Sequence, residues 1–137
     1  MSAAGYSGTP LAKKVGARPG ARALVVNAPD PLPAVFGDDV RLLRRASAPL
    51  DAVVLFTTER RELERRIPAL RAKLADDGML WVAWPKRASR VQTDVTEDVV
   101  RDFAVGRTDL VDVKVIAIDE TWSGLKLVIR KAARGRG

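Results

Sequence analysis

The polar groups best placed for chemistry follow the apolar runs of the chain. Asn27 follows Leu24-Val25-Val26, Thr57 and Thr58 follow Val53-Val54-Leu55-Phe56, and Lys86, Arg87 and Arg90 follow Trp81-Val82-Ala83-Trp84-Pro85. Hydroxyls beside the N–H groups of a starting helix, with cationic side chains nearby, suit a phosphate or a carboxylate, so a small anionic ligand is the expected partner. The plainer reading of Lys86, Arg87 and Arg90 is a solvated loop with ordinary surface charge. Trp84 reads first as a large core residue ending a buried strand, and second as a stacking platform for a planar ligand. Asn27 has two readings of equal standing: its amide binds a ligand, or it ties neighbouring loops together. Asp30 lies three residues further on, and Tyr6 stands in a glycine-serine stretch where it either covers the ligand edge or anchors the terminus.

Several chemistries are missing from this inventory. The chain has no His and no Cys, which removes the commonest general base, thiol nucleophiles, disulfides and thiolate metal sites. No Gly-x-Gly-x-x-Gly follows an apolar run, and no Gly-x-x-x-x-Gly-Lys-Ser/Thr phosphate loop exists. Glu97 and Asp98 are accounted for as favourable charge at a helix start, and Asp119 and Glu120 as turn residues. No catalytic residue, metal ligand or cofactor is therefore assigned, and the chain is read as more binding module than enzyme.

The elements that position these residues follow from pattern. With 137 residues, 47% hydrophobic and 30% charged, the chain suits one globular domain, taken as residues 1–131, with 1–20 as a helical segment packed on it. The net charge of +7 is concentrated: Arg130, Lys131, Arg134 and Arg136 supply more than half of it. Residues 132–137 read as a disordered basic tail. That tail leaves a body near charge balance, and no aromatic residues interleave a basic stripe, so nucleic acid is an unlooked-for partner; binding there would be weak and steeply salt-dependent. Arg60, Arg61, Arg65 and Arg66 are interrupted by Glu59, Glu62 and Glu64, as on a salt-bridged solvent face. The longest apolar run, Met79 to Pro85, is far short of a membrane span, and no leader pattern is seen at the start, so a cytoplasmic location is expected. A second copy of the chain stays open as a partner.

Along the chain, Thr9-Pro10 opens a short helix that Gly16 closes, and Arg22 to Asn27 forms the first strand. The prolines at 29, 31 and 33 allow a helix only between Pro33 and Gly37. Val40 to Arg44 is a brief edge strand, and Asp51 to Phe56 an apolar strand buried on both faces. Thr58 caps a helix whose Leu63, Ile67, Leu70 and Leu74 share one face, kinked at Pro68 and closed by Asp76-Asp77-Gly78. Met79 to Trp84 is the next strand, followed by a polar loop from Lys86 to Asp94. Thr96 caps a further helix, with Val95 against Val100 and with Val99 and Phe103 facing the core. Val111 to Ile118 and Trp122 to Ile129 are joined only by Asp119-Glu120-Thr121, which requires an antiparallel hairpin.

This alternation predicts an α/β fold of three layers: a mostly parallel twisted sheet of about six strands, helices on both faces and a C-terminal antiparallel hairpin. A strand, a helix and then a hairpin resembles the class I methyltransferase-like Rossmann variant, in which the last strand enters antiparallel between two others. Tyr6-Ser7-Gly8-Thr9-Pro10-Leu11-Ala12-Lys13-Lys14, Asn27-Ala28-Pro29, Trp84-Pro85-Lys86, Thr93-Asp94-Val95-Thr96-Glu97-Asp98 and Asp119-Glu120-Thr121-Trp122-Ser123-Gly124-Leu125 resemble the bacterial family called domain of unknown function 3052. The resemblance spans nearly the whole chain; it implies the fold and brings no reaction or ligand with it.

Open α/β sheets bind ligands beyond the carboxyl ends of their strands. That rule groups Asn27, Thr57, Thr58, Trp84 and Lys86 as one pocket, with Asp30, Arg87 and Tyr6 at its margin. A methyltransferase would want glycine after the first strand and an acid ending the second. Ala28-Pro29-Asp30-Pro31 has no glycine, and Leu43-Arg44-Arg45 is basic. The expectation is a non-catalytic small-ligand-binding or interaction module. Its alternative is a divergent S-adenosylmethionine-dependent methyltransferase that uses Asp30 for the ribose.

Overall fold

Buried, β-branched strand residues dominate the middle of the chain, and they assemble as one sheet. The structure is a computed structural model that describes residues 10–135. The elements are α1 (Leu11–Val15), β1 (Arg22–Val26), β2 (Arg41–Leu42), β3 (Leu50–Phe56), α2 (Arg60–Arg71), β4 (Leu74–Pro85), α3 (Glu97–Arg107), β5 (Leu110–Ala117) and β6 (Trp122–Ile129), with 3-10 turns at Arg87–Ser89 and Lys131–Ala133. The strand order is β2-β1-β3-β4-β6-β5. β1, β2, β3 and β4 pair in parallel, and β6 runs antiparallel to both β4 and β5. This is the mixed α/β, methyltransferase-like Rossmann sheet that the element order predicts, with the hairpin strand inserted between its neighbours.

Strand alternation sorts the core into two layers. Leu24, Val53, Leu55, Leu80, Val82, Leu125 and Leu127 pack with Leu63, Ile67 and Leu70 of α2 and with Val100 and Ala104 of α3. Val54, Phe56, Trp81 and Ala83 point the other way, to Val15 of α1, Val35 and Ile118. The indole Nε1 of Trp81 donates to the Val15 carbonyl at 3.1 Å, so a buried polar group fixes the short α1 to the sheet. Gly16 closes that helix at φ 84°. Among the described residues no helix is long and apolar enough to cross a membrane.

Several local expectations give way. No helix forms between Pro33 and Gly37: the whole β1–β2 crossover is irregular, because prolines at 29, 31 and 33 remove the N–H donors a helix nucleus needs. α2 runs through Pro68 and ends at Arg71, so Leu74 is not helical and Asp76-Asp77-Gly78 does not close a helix. Those residues open β4, whose Leu74 pairs with Leu50 ahead of a register shift in which Ala52 next pairs with Met79. The cap of α2 is Glu59 and not Thr58; the Glu59 N–H donates to the Thr57 hydroxyl and the Arg60 N–H to the distant Asp94. Thr96 caps α3 as read, accepting from the Val99 N–H, but Val100 and Ala104 are the core positions while Val99 is half-buried. Of the segment 132–137 read as a disordered basic tail, the described residues 132–135 carry contacts to the body. Ala133 packs on the core, and Arg134 Nε donates to the Ile129 carbonyl at 2.9 Å. Thr9 and Tyr6 lie outside the described residues.

Candidate functional site

The chain leaves β1 for β2 on one side and then places β3 on the other, so the strand order reverses between β1 and β3. Asn27 and Thr57 stand at the two strand ends that flank this point. The side-chain Nδ2 of Asn27 donates to the Phe56 carbonyl at 3.1 Å, and Asn27 holds φ at 58° to do so. Asn is among the few residues that take this left-handed backbone readily. Thr57 is only 2% exposed. Its hydroxyl accepts from the Glu59 N–H at 3.3 Å and donates to Glu62 Oε1 at 3.1 Å, while its own N–H donates to the Ala83 carbonyl at 3.0 Å. Both residues are thus engaged in fastening β1, β3, β4 and α2 together.

The remaining candidates separate into three described cavities. Trp84 and Arg87 line one of about 380 Å³ with Pro85, Arg90, Val91, Thr93, Val95 and Thr96. Thr58 lines a second of about 440 Å³ with Glu59, Gln92, Thr93 and Asp94. Asp30 lines a third of about 320 Å³ with Pro29, Pro31, Asp119, Glu120, Thr121 and Trp122. Lys86 is half-buried; its N–H donates to the Thr121 carbonyl at 2.7 Å and its carbonyl accepts the Ser89 hydroxyl at 2.6 Å. Its backbone therefore anchors the loop that carries Arg87.

Of these cavities, the one beside Trp84 has the chemistry for an anion. Arg87 and Arg90 are both exposed, and neither guanidinium meets a carboxylate among the described residues. The 3-10 turn that presents them ends at Arg90, whose φ of 63° is left-handed. Trp84, buried at the end of β4, and Val95, buried ahead of α3, form the apolar part. The segment is folded back by Thr93, whose hydroxyl donates to the Thr58 carbonyl at 2.6 Å, and by Asp94, which accepts the Arg60 N–H at 2.7 Å. Sequence reasoning had Trp84, Arg87 and Arg90 but not Thr93 and Val95. Thr93 is placed by a contact 35 residues away, and the Val95 N–H donates to the hydroxyl of Thr93. Likewise Trp122 beside Asp30, stacked edge-on to Phe56 with ring centroids 5.1 Å apart, had no local signal.

Protonation is biased by the fold on the β5 side of the sheet. The Arg71 hydrogen bond holds the Asp109 carboxyl below its ordinary range, and Arg101 does the same for Asp112. Burial, with help from Lys114, pushes the Lys126 ammonium down. These pairs join α2 and α3 to β5 and so fix the helices whose starts frame the cavities.

No family model matches the chain, and no curated protein matches it. Solved structures do. One is a ribosomal protein L11 methylase from Lactobacillus delbrueckii subsp. bulgaricus, at 12% identity and TM-score 0.53, covering 87% of this chain and 74% of that one. Another is the magnesium protoporphyrin IX methyltransferase of Synechocystis PCC 6803 with bound SAH, at 10% identity and TM-score 0.54, covering 82% and 75%. A third is a protein of the NADB-Rossmann superfamily from Streptococcus agalactiae, at 11% identity and TM-score 0.52, covering 94% and 72%. At such identities the likeness establishes the fold alone.

Proposed function

We propose that this chain is a small-ligand-binding module on a methyltransferase-like fold, without a reaction of its own, and that its ligand is anionic with an apolar or planar portion. The observation that carries this reading is the cavity of Trp84, Arg87 and Arg90: two arginines that have no carboxylate partner among the described residues line it beside an apolar wall at the carboxyl edge of the sheet. Phosphate or carboxylate oxygens would take the arginine forks, and the apolar part would rest on Trp84 and Val95. Membership of the family called domain of unknown function 3052 and a cytoplasmic setting belong to the same reading, on the residues quoted for them above.

The experiment is a thermal-shift panel on the full chain, with nucleoside monophosphates, pyrophosphate and aromatic carboxylates as probes. A ligand confined to the folded form raises the melting temperature by mass action. A saturable rise that vanishes in the Arg87→Ala, Arg90→Ala double variant supports the reading, and no rise with any probe removes it. A second reading, methyl transfer from S-adenosylmethionine, is favoured by the fold shared with methyltransferases, one of them holding SAH. Against it stands the β1 exit, which has proline where backbone would have to approach an adenosyl group closely. A saturable rise with S-adenosylmethionine would favour the second reading.

A further inference from the structure

A fourth cavity, of about 330 Å³, lies on the α1 face of the sheet near the β2 edge. Its floor is Val25 of β1 and Leu42 of β2, which share a face because Leu42 pairs with Ala23, two residues from Val25. Its roof is the β1–β2 crossover. Parallel strands are usually joined by a helix that packs on this surface; here the crossover is irregular, and the space is only partly filled. Val35 is 2% exposed and Phe36 packs on the same cluster, so the crossover is pinned to the sheet there. Leu32 and Leu42, at 45% and 61% exposure, are the exposed large aliphatics of the lining.

We infer that this cavity is a binding site for a small hydrophobic amine. The walls are Val25, Leu32, Pro33, Val35, Phe36 and Leu42, and the one charged residue of the lining is Asp38. Asp38 makes no ion pair among the described residues, and Arg41, the nearest cation along β2, alternates to the opposite face of the sheet. An apolar body therefore meets apolar walls while an ammonium meets the carboxylate. The volume stands at the lower end of the range for ligand cavities, which suits one ring with a short side chain. Two exposed aliphatics are too little surface for a stable protein interface, which buries about 800 Å² on each partner. The prolines stiffen the roof, so the site is formed before the ligand arrives.

The test uses the full chain with methyl-labelled Val and Leu, titrated with 2-phenylethylamine and with two probes of similar shape, 2-phenylethanol and 3-phenylpropionate. The amine should saturably shift the Val25 and Leu42 methyl resonances and bind roughly tenfold tighter than the alcohol, the carboxylate binding weakest. Asp38→Asn, an exposed and isosteric change, should erase that order and leave the alcohol unaffected. The inference is overturned if no probe moves those methyls, if all three bind alike, or if the order persists in Asp38→Asn. Because the readout sits on the face opposite to Trp84, its failure leaves the anion cavity untouched.

Discussion

The side-chain amide of Asn27 donates to the carbonyl of Phe56 at 3.1 Å, bridging the ends of β1 and β3 at the point where the strand order reverses. A polar residue in the position most often given to a ligand is here a strut. Its left-handed backbone, φ 58°, is part of the same device, because it turns the side chain back over the neighbouring strand. Asn27→Ala loses the hydrogen bond and also asparagine's tolerance of left-handed backbone, together about 2 kcal/mol. Asn27→Gly loses only the bond, about 1 kcal/mol. Urea denaturation should rank the parent above Gly and Gly above Ala; an Ala variant as stable as the parent removes the strut.

Arg90 occupies the same region of backbone space, φ 63°, without a side-chain hydrogen bond among the described residues to justify it. Strain kept at a cavity wall is the pattern of a residue retained for its side chain. Arg90→Gly should therefore raise the unfolding free energy by about 0.5–1 kcal/mol while weakening pyrophosphate binding. The two effects have opposite signs, so denaturation and ligand-induced thermal shift on one variant separate them. Equal binding by parent and variant would take Arg90 out of the site.

The acid limb of stability should belong to two surface pairs. Arg71 Nη2 donates to Asp109 Oδ2 at 2.8 Å, and Arg101 Nε to Asp112 Oδ2 at 2.8 Å. Both carboxyls titrate below the ordinary aspartate value of 3.8, chiefly through the arginine hydrogen bond. A depressed folded pKa gives stability that is complete above the unfolded value and lost as pH falls through the folded one. Asp109→Asn should thus be less stable than the parent at neutral pH, with the gap closing towards pH 2. A gap that stays constant across that window would mean the loss is one of packing. Added salt should narrow it as well, since both partners are partly exposed.

What the sequence disclosed and what it withheld follow from where the deciding contacts lie. Thr96 with Glu97 and Asp98, the unbroken run at Val53–Phe56 and the three-residue link of the hairpin are local signals, and each element formed where its residues placed it. The α2 extension to Gly78 failed for the converse reason. Leu74 falls at helical spacing from Leu70, yet pairing with Leu50 and burial against the α2 face claim it for β4. For the site, Trp84, Arg87 and Arg90 were readable together because one strand end and one loop carry them. Thr93 and Val95 join them through a hydrogen bond to Thr58, which no spacing rule anticipates.

Gly78 is the position at which the two accounts of that segment can be told apart. As a residue closing a helix it would need freedom to take a left-handed backbone, and asparagine would serve nearly as well. In β4 the requirement is lack of bulk: a β-carbon there would stand 2.8 Å from the Leu50 carbonyl oxygen, 2.9 Å from Leu74 Cγ and 3.0 Å from the Ala75 carbonyl oxygen. Two of those three atoms are backbone, so relief requires the strands to part. Gly78→Ala and Gly78→Asn should both destabilise by about 1–3 kcal/mol, the cost of overpacking. Gly106, in α3 with nothing within 4 Å of such a carbon, is the control. Gly106→Ala should stabilise by about 0.5–1 kcal/mol, since it lies in a helix and lowers the entropy of the unfolded chain. Guanidinium denaturation of the three variants gives the ranking; a Gly78→Asn protein as stable as the parent would return the segment to a helix end and displace β4 from its pairing with Leu50.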